Sequence, residues 1–454
     1  MGLFGRLRAR STSRSTSRRV VLIGLDGVPY SLLKRLLDDG IMPNLAELAR
    51  EGSLRRMTSV HPWVSSVAWS SFMTGSNPAK HGIFGFIDRD PATLKTFIPI
   101  ARHMKASTLW DVLGDAGRRS VVVNVPVTYP PKPIRGVLIS GFLSPRLEKA
   151  VHPPSLLPTL RRLGYRIDTD PWLARESREK AMPDILDALE KRVRTLLHLM
   201  DTEEWDYFQC VIMETDRLHH FFFRQMEEND PVWAPAFFEV YRRIDAAIGE
   251  VRTRLGERDT LMLMSDHGFC SIETEVFYNR WLADAGFLSY AHTPAKRIDE
   301  MAPQTVAYAL DPARIFINLK GREKFGHVAP GAEYERVRDE LIQALTSFTL
   351  PDGKKPVLHA YRREEIYNGP YLDRAADIII APVDGYDPKG AFYKDRLTHR
   401  DAMMVGMHTY DDAFLLAHGL ALTDGVNIMD VMPTILAHLG IDPPPHVDGE
   451  VRLK

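Results

Sequence analysis

Three short apolar runs in this chain end on residues that can hold a metal ion: LIGLDG with Asp26, VIMETDRLHH with Asp216 and His220, and LMLMSDHG with Asp266 and His267. Carboxylate oxygen and imidazole nitrogen are donors that zinc and manganese both accept. Asp216 and His220 stand four residues apart, so on a helix they share one face and can grip one ion. His219, the neighbouring alternative, would point roughly a quarter-turn away. Gly268 follows Asp266 and His267 and permits an unusual backbone turn there. An acid at a strand end also serves as a helix N-cap or turn residue, so each motif alone is ambiguous. Three such ends on one sheet edge would converge, because ligand groups of open α/β sheets collect at the carboxyl ends of strands. His408, in VGMHTYDD, stands alone before a strand and by itself reads as structural.

A hydroxyl candidate lies in HPWVSSVAWSSFMTGSNPAKHGIFGF, from His61 to Phe86, where Ser65 and Ser66 precede a short helical pattern, Val67 to Thr74, closed by Gly75. A serine there can be an N-cap. It can also be a nucleophile placed where the helix dipole and free N–H groups favour an anionic phosphoryl group. Spacing does not choose between these.

The elements that must position these residues are legible as runs. VVLIGLDG, SVVVNVP, GVLISG, YFQCVIME, TLMLMSDHG, ADIIIAP and AFLLAHG read as strands buried on both faces. Helical stretches from Pro183 to Met200 and from Pro231 to Leu255 alternate with them, and IMDVMPTILAHLG ends on Gly440, a natural helix stop. The alternation predicts an α/β sandwich around a mostly parallel sheet flanked by helices. Residues 271–371 have few long apolar strands and read as a cap inserted into a core made of residues 20–270 and 372–454.

The first 19 residues hold six arginines and no acid, which predicts a disordered basic arm or a weak membrane-surface contact through Leu3, Phe4 and Leu7. The 454 residues are 44% hydrophobic and 26% charged with net charge −1, so neither a nucleic-acid polymer nor an anionic membrane is a general partner. No run is long enough to span a bilayer. Two cysteines, Cys210 and Cys270, in so long a chain argue against a disulfide scaffold and fit a reducing cytoplasm.

Taken in order, LDG, a Ser ten residues before the Gly of MTG, NPAKHGI, D-x-x-x-H, SDHG, a late G-x-H and PTILAHLG resemble the type I phosphodiesterase/nucleotide pyrophosphatase branch of the alkaline phosphatase superfamily. Each piece is common; the ordered set, from Asp26 to His408, is specific. The resemblance implies two divalent ions, usually zinc with manganese also compatible. One would be held by Asp216, His220 and His408, the other by Asp26, Asp266 and His267, with Ser65 bound at the second as nucleophile. It further implies hydrolysis of a small phosphate ester through a phosphoseryl intermediate. A phosphotransferase or phosphomonoesterase could use the same site, and an inactive binding protein could keep the fold.

Two departures stand out. Ala68 occupies the place of a family Asn that holds a phosphoryl oxygen, leaving Trp69, Lys80, His81 or a backbone amide to replace it, and the nucleophile is Ser where Thr is common. Neither cysteine starts the C-x-P-x-R motif of the main sulfatase class, and the Asp26-Gly27-Val28-Pro29-Tyr30 stretch lacks the serine of the metal-dependent phosphoglycerate mutases. Diesters are the expected substrates, since no Arg lies near Ser65 in sequence, although Arg314 or Arg322 of the cap could fold over the site.

Overall fold

In the computed structural model, which describes residues 18–400 and 403–454, the apolar runs form the strands of one central sheet. Its strands are β1 (Arg19–Leu25), β2 (Gly52–Thr58), β3 (Ser120–Val125), β4 (Gly136–Ser140), β5 (Val151–His152), β6 (Tyr207–Ile212), β7 (Asp259–Met264), β8 (Ala413–His418) and β9 (Val426–Asn427). They lie in the order β9-β2-β8-β7-β1-β6-β3-β4-β5. Only β8 and the edge strand β5 run against the rest. The fold is therefore α/β with a mixed, mostly parallel nine-stranded sheet flanked by helices.

Alternation along β1 explains why both faces are covered. Val21, Ile23 and Leu25 enter one apolar cluster with helices Arg178–Thr202, Glu214–Glu227 and Trp233–Thr253. Val20 and Leu22 enter the opposite cluster with helices Ser65–Thr74, Leu109–Asp115 and Val431–His438. A strand buried on both sides has no polar face to show, which is why its sequence is a continuous apolar run.

Two expectations change in detail. Arg19, read as the end of the basic arm, opens β1 and pairs with Asp259 at 2.5 Å; the rest of the arm up to residue 17 falls outside the described residues. The run ADIIIAP does not join the central sheet. Ile378–Pro382 completes a four-stranded antiparallel sheet with Ala307–Leu310, Arg314–Ile317 and Val357–Arg362. That sheet packs on helix Ala332–Ser347 around an apolar cluster of its own, which runs from Val276 to Phe392 and takes in Ala79, Phe84 and Leu94. An isolated apolar run states that a strand is buried, not which sheet buries it.

Gly24, on β1, sits under the indole of Trp69, and a Cβ there would lie 2.4 Å from the ring. Trp69 is fully buried, so the ring has little room to retreat. Gly24→Ala should cost ~1–3 kcal/mol of stability through overpacking. Urea unfolding of the two proteins checks this; an unchanged midpoint would mean that the indole moves freely.

Candidate metal centre

Strands β7, β1 and β6 are neighbours running in parallel, so their C-terminal ends share one edge. Asp26 follows β1, Asp266 and His267 follow β7, and the helix Glu214–Glu227 after β6 carries Asp216 in its first turn with His220 one turn on. His408 arrives from elsewhere. It lies on the short strand Gly406–Thr409, antiparallel to Gly268–Ser271 and opposite Phe269, so the strand leaving His267 brings it in.

Two sets of three ligands result: Asp216, His220 and His408, and Asp26, Asp266 and His267, with the donor atoms of each set within 4.8 Å of one another. A cation about 2.0–2.2 Å from each donor holds tetrahedral donors roughly 3.3–3.6 Å apart, and the separations of 3.1–3.4 Å among Asp216 Oδ1, His220 Nε2 and His408 Nε2 are of that size. The sets adjoin, since the His267 and His408 rings stack at 3.7 Å between centroids.

Protonation shows what these sets lack. His220 Nδ1 lies 2.9 Å from Gly406 O, His408 Nδ1 3.2 Å from Trp63 O and His267 Nδ1 3.1 Å from Gly268 O. A carbonyl only accepts, so each Nδ1 must donate, and in a neutral imidazole each Nε2 keeps a lone pair. His220 Nε2 and His408 Nε2 then face each other at 3.1 Å, with Asp216 Oδ1 3.4 and 3.1 Å from them. Three such acceptors so close repel unless a proton or a cation lies among them. In the second set Asp266 Oδ2 is buried without a hydrogen-bond partner, 3.3 Å from His267 Nε2. The residues fit divalent metal ions, and backbone carbonyls orient all three imidazoles as supporting groups commonly do.

Electrostatics agree. Burial first, then the charges of Asp266 and Asp216, hold Asp26 well above the usual carboxylate range. Burial chiefly pushes Asp266 up to about 8. Burial works the same way on Asp216, but His220, His408 and Arg217 outweigh it and hold Asp216 well below its ordinary value. His267 and His408 are pushed down, mainly by burial, and so stay neutral. Two buried acids without a counter-charge beside neutral imidazoles make a ready cation site.

Ser65 is the first residue of its helix. The cap position belongs to Val64, which makes no side-chain cap, so the serine is not an N-cap. Its Oγ lies 3.2 Å from both Asp26 Oδ1 and His267 Nε2. Gly75, in the left-handed region at φ 61°, closes the same helix. Ser66 Oγ is buried without a partner. His219 stays out of both sets, held by Gly27 O and the Tyr241 hydroxyl. The suggested replacements for the family Asn are engaged elsewhere: Trp69 Nε1 donates to Asp26 Oδ2 at 2.7 Å, Lys80 pairs with Asp448, and His81 is bound by Ser71 and Ile83 N. Ala68 is packed in the core. What remains near Ser65 is the helix start, where the Ser65 and Ser66 N–H groups precede the first helix bonds, made by Val67 and Ala68 to Val64 O.

Sequence reading missed several supporting side chains. Thr215 Oγ1 donates to Asp26 O at 2.7 Å. Arg217 bridges Asp216 and Asp168 at 2.7 Å each. Trp63 Nε1 donates to His408 O at 2.9 Å while Trp63 O receives His408 Nδ1–H. Arg217 adjoins a motif residue, a signal that could have been used; the tryptophans look like core.

A three-layer α/β fold with two adjacent metal-ligand sets at one strand edge defines an alkaline phosphatase-like protein. The chain belongs to the type I phosphodiesterase/nucleotide pyrophosphatase family, whose sequence profile matches residues 20–411, and so to a family of metal-dependent phosphoester hydrolases. No curated protein sequence matches it. Among solved structures it is similar to phosphonoacetate hydrolase from Sinorhizobium meliloti 1021 in complex with phosphonoformate (TM-score 0.65, 17% identity, 93% of this chain and 95% of that one). It is also similar to inactive murine ectonucleotide pyrophosphatase/phosphodiesterase 5 in complex with AMP (TM-score 0.59, 16%, 94% and 96%). The human form of the latter gives a TM-score of 0.57 at 16% identity, with 95% and 97% covered. At these identities the likeness is one of fold.

The raised carboxyls set a pH dependence for metal-free protein. A folded Asp266 near 8 keeps a proton that the unfolded chain releases near about 4, so its contribution to stability falls as pH rises between those values. Buried His61, His81 and His219, pushed down to about 4, 3 and 3 chiefly by burial, act oppositely, but only up to the unfolded histidine value of about 6.5. From pH 7 to 8 the carboxyl term is left. With EDTA, the unfolding temperature should drop across this window, and zinc should raise it most at pH 8. Thermal scans check it; a rise with pH in EDTA would contradict the assignment.

Proposed function

We propose that this protein is a two-metal hydrolase of small phosphate esters, with Ser65 as nucleophile and diesters as preferred substrates. The observation that carries the reading is Ser65 Oγ, 3.2 Å from one carboxylate and one imidazole of the second ligand set, on the first turn of a buried helix. Family membership supports it.

Asp216, His220 and His408 would hold one ion and Asp26, Asp266 and His267 the other, with Ser65 reaching the second. Bound there, two divalent ions, zinc or manganese, would neutralise phosphoryl charge and make the serine hydroxyl and water competent nucleophiles at neutral pH. Ser65 attacks phosphorus, the first alcohol leaves, and water then cleaves the phosphoseryl ester. Helix N–H groups at the Ser65 end receive a phosphoryl oxygen, the task the family Asn performs where this chain has Ala68. Trp69, by occupying Asp26 Oδ2, leaves Oδ1 turned towards Ser65.

The cap read over 271–371 belongs to the same proposal, extended to Ile378–Pro382, which completes its sheet. Among the described residues no helix is long and apolar enough to cross a membrane. Cys210 and Cys270 are unpaired, in keeping with a reducing compartment, and we place the protein in the cytoplasm.

Charge supports the diester preference. Three Asp and three His carry −3, and two divalent ions bring the sets to about +1, a match for a diester monoanion. The two cap arginines do not add to this: Arg314 donates to Ile87 O and Asp311 O, and Arg322 pairs with Asp377 at 2.6 Å. Arg217 is balanced by Asp168.

Two measurements test the reading. Ser65→Ala should abolish turnover while metal analysis still finds about two equivalents, whereas Ser66→Ala should stay within roughly tenfold, about 1.4 kcal/mol of barrier; the reverse pattern would move the nucleophile by one residue. Wild-type kcat/KM should be higher for bis(p-nitrophenyl) phosphate than for p-nitrophenyl phosphate, and the opposite ratio would reject the diester preference.

A further inference from the structure

Two pairs of residues four apart stand side by side at the start of helix Glu214–Glu227. Asp216 and His220 belong to the first ligand set. Thr215 and His219, each one residue earlier, lie on the adjoining stripe, about 100° round the helix. Both are fully buried, and neither has a task in the chemistry described above.

What they hold belongs to the second set. Thr215 Oγ1 shares its single proton between Asp26 O at 2.7 Å and Ile212 O at 2.9 Å. The Asp26 carbonyl is one end of a peptide plane whose other end, the Gly27 N–H, donates to Asp266 Oδ1 at 3.0 Å. A chain of hydrogen bonds therefore runs from the helix through the Asp26–Gly27 peptide to a carboxylate of the second set, and each bond in such a chain polarises the next. His219 holds the following carbonyl, with Nδ1 2.9 Å from Gly27 O. That oxygen only accepts, so Nδ1 carries the ring proton. Nε2, unprotonated in the neutral ring that burial favours, accepts from the Tyr241 hydroxyl at 2.6 Å.

The surroundings of His219 do not ask for an imidazole. Its ring stacks on Phe237 with centroids 5.5 Å apart and meets Phe223 and Phe269 edge-on at 5.3 and 4.9 Å. Phenylalanine would suit such a place by burial alone; the imidazole adds a donor for Gly27 O. Gly27 needs one. It sits in the left-handed region at φ 68°, where a Cβ would lie 2.6 Å from Phe269, and glycine has more backbone freedom to lose than any other residue.

We propose that Thr215 and His219 are positioning residues for the second ligand set. From the helix that carries two ligands of the first set, they fix the Asp26–Gly27 backbone, and with it the Asp26 and Asp266 carboxylates. The inference rests on the two-metal reading above and adds that one helix aligns both sets.

Zinc dissociation constants, from competition with a chromophoric chelator, test this without turnover. His408→Ala leaves only the second set complete, and Asp266→Ala only the first. With only the second set complete, His219→Phe and Thr215→Val should each weaken zinc about tenfold, the low end for groups that support a metal ligand. His219→Asn, whose amide can take over the Nδ1–H donor, should stay within about threefold. With only the first set complete, all of these variants should stay within about twofold, although their sites adjoin Asp216 and His220 in sequence. Unchanged affinity at the second set, or equal weakening of both sets, would overturn the assignment. Thr215→Val is nearly isosteric and decides the matter should His219→Phe fail to fold. Turnover of bis(p-nitrophenyl) phosphate by the zinc-loaded wild type separates the two readings. Turnover without the selective loss at the second set rejects the positioning role alone, and the selective loss without turnover of any diester rejects the hydrolase reading alone.

Discussion

Asp26 and Asp266 are buried at the ends of adjacent parallel strands, with no cationic side chain paired to either among the described residues, and much of the architecture follows from keeping them there. Carboxylates out of water are costly unless paired, hydrogen-bonded or bound to metal. The chain supplies partial answers from every side. Gly27 N–H donates to Asp266 Oδ1 and the indole of Trp69 to Asp26 Oδ2, while the Asp26 carbonyl takes the Thr215 hydroxyl. One oxygen on each acid stays turned inward, towards Ser65 or the unpartnered space. Fully satisfying these groups with protein donors would have removed the place for a cation.

The parallel sheet makes this arrangement possible because three neighbouring strands deliver their loops to one edge. It also sets how far the chain could be read before its structure was known. Asp26, Asp216, His220, Asp266 and His267 lie just past apolar runs, and strand-end chemistry is legible from that placement. His408 was not legible alone. It reaches the site by pairing of Gly406–Thr409 with Gly268–Ser271, a long-range register that nothing near residue 408 announces; only the ordered set of motifs drew it in. Ser65 was ambiguous for another reason: capping and nucleophilic serines occupy nearly the same place, and the difference is whether Val64 or Ser65 precedes the first turn.

The supporting shell was the least legible part. Trp69 and Trp63 look like core residues and both are buried; their indole N–H groups are what tie them to Asp26 and to the His408 carbonyl. Arg217 needs Asp168, which lies in a loop with no pattern of its own, and Arg192 similarly needs Glu214, a fully buried ion pair beneath the same helix. The small sheet shows the same limit at the scale of strands: alternation and length mark Ile378–Pro382 as buried without saying what it lies beside.

The six candidate ligands stretch from Asp26, just past the first strand described, to His408, shortly before the last long strand of the sheet. Closing so long a stretch of chain through a few side chains costs more entropy than any local contact, though the cost grows only slowly with length. Ions that occupy both sets would fasten the opening of the chain to its final quarter much as a clasp joins the ends of a belt. A ribosome still making the last fifty residues would hold a sheet without β8, which separates β7 from β2 in the finished molecule. Loading with metal would then mark the end of folding, and a truncated chain would be left without the ligand that completes the first set.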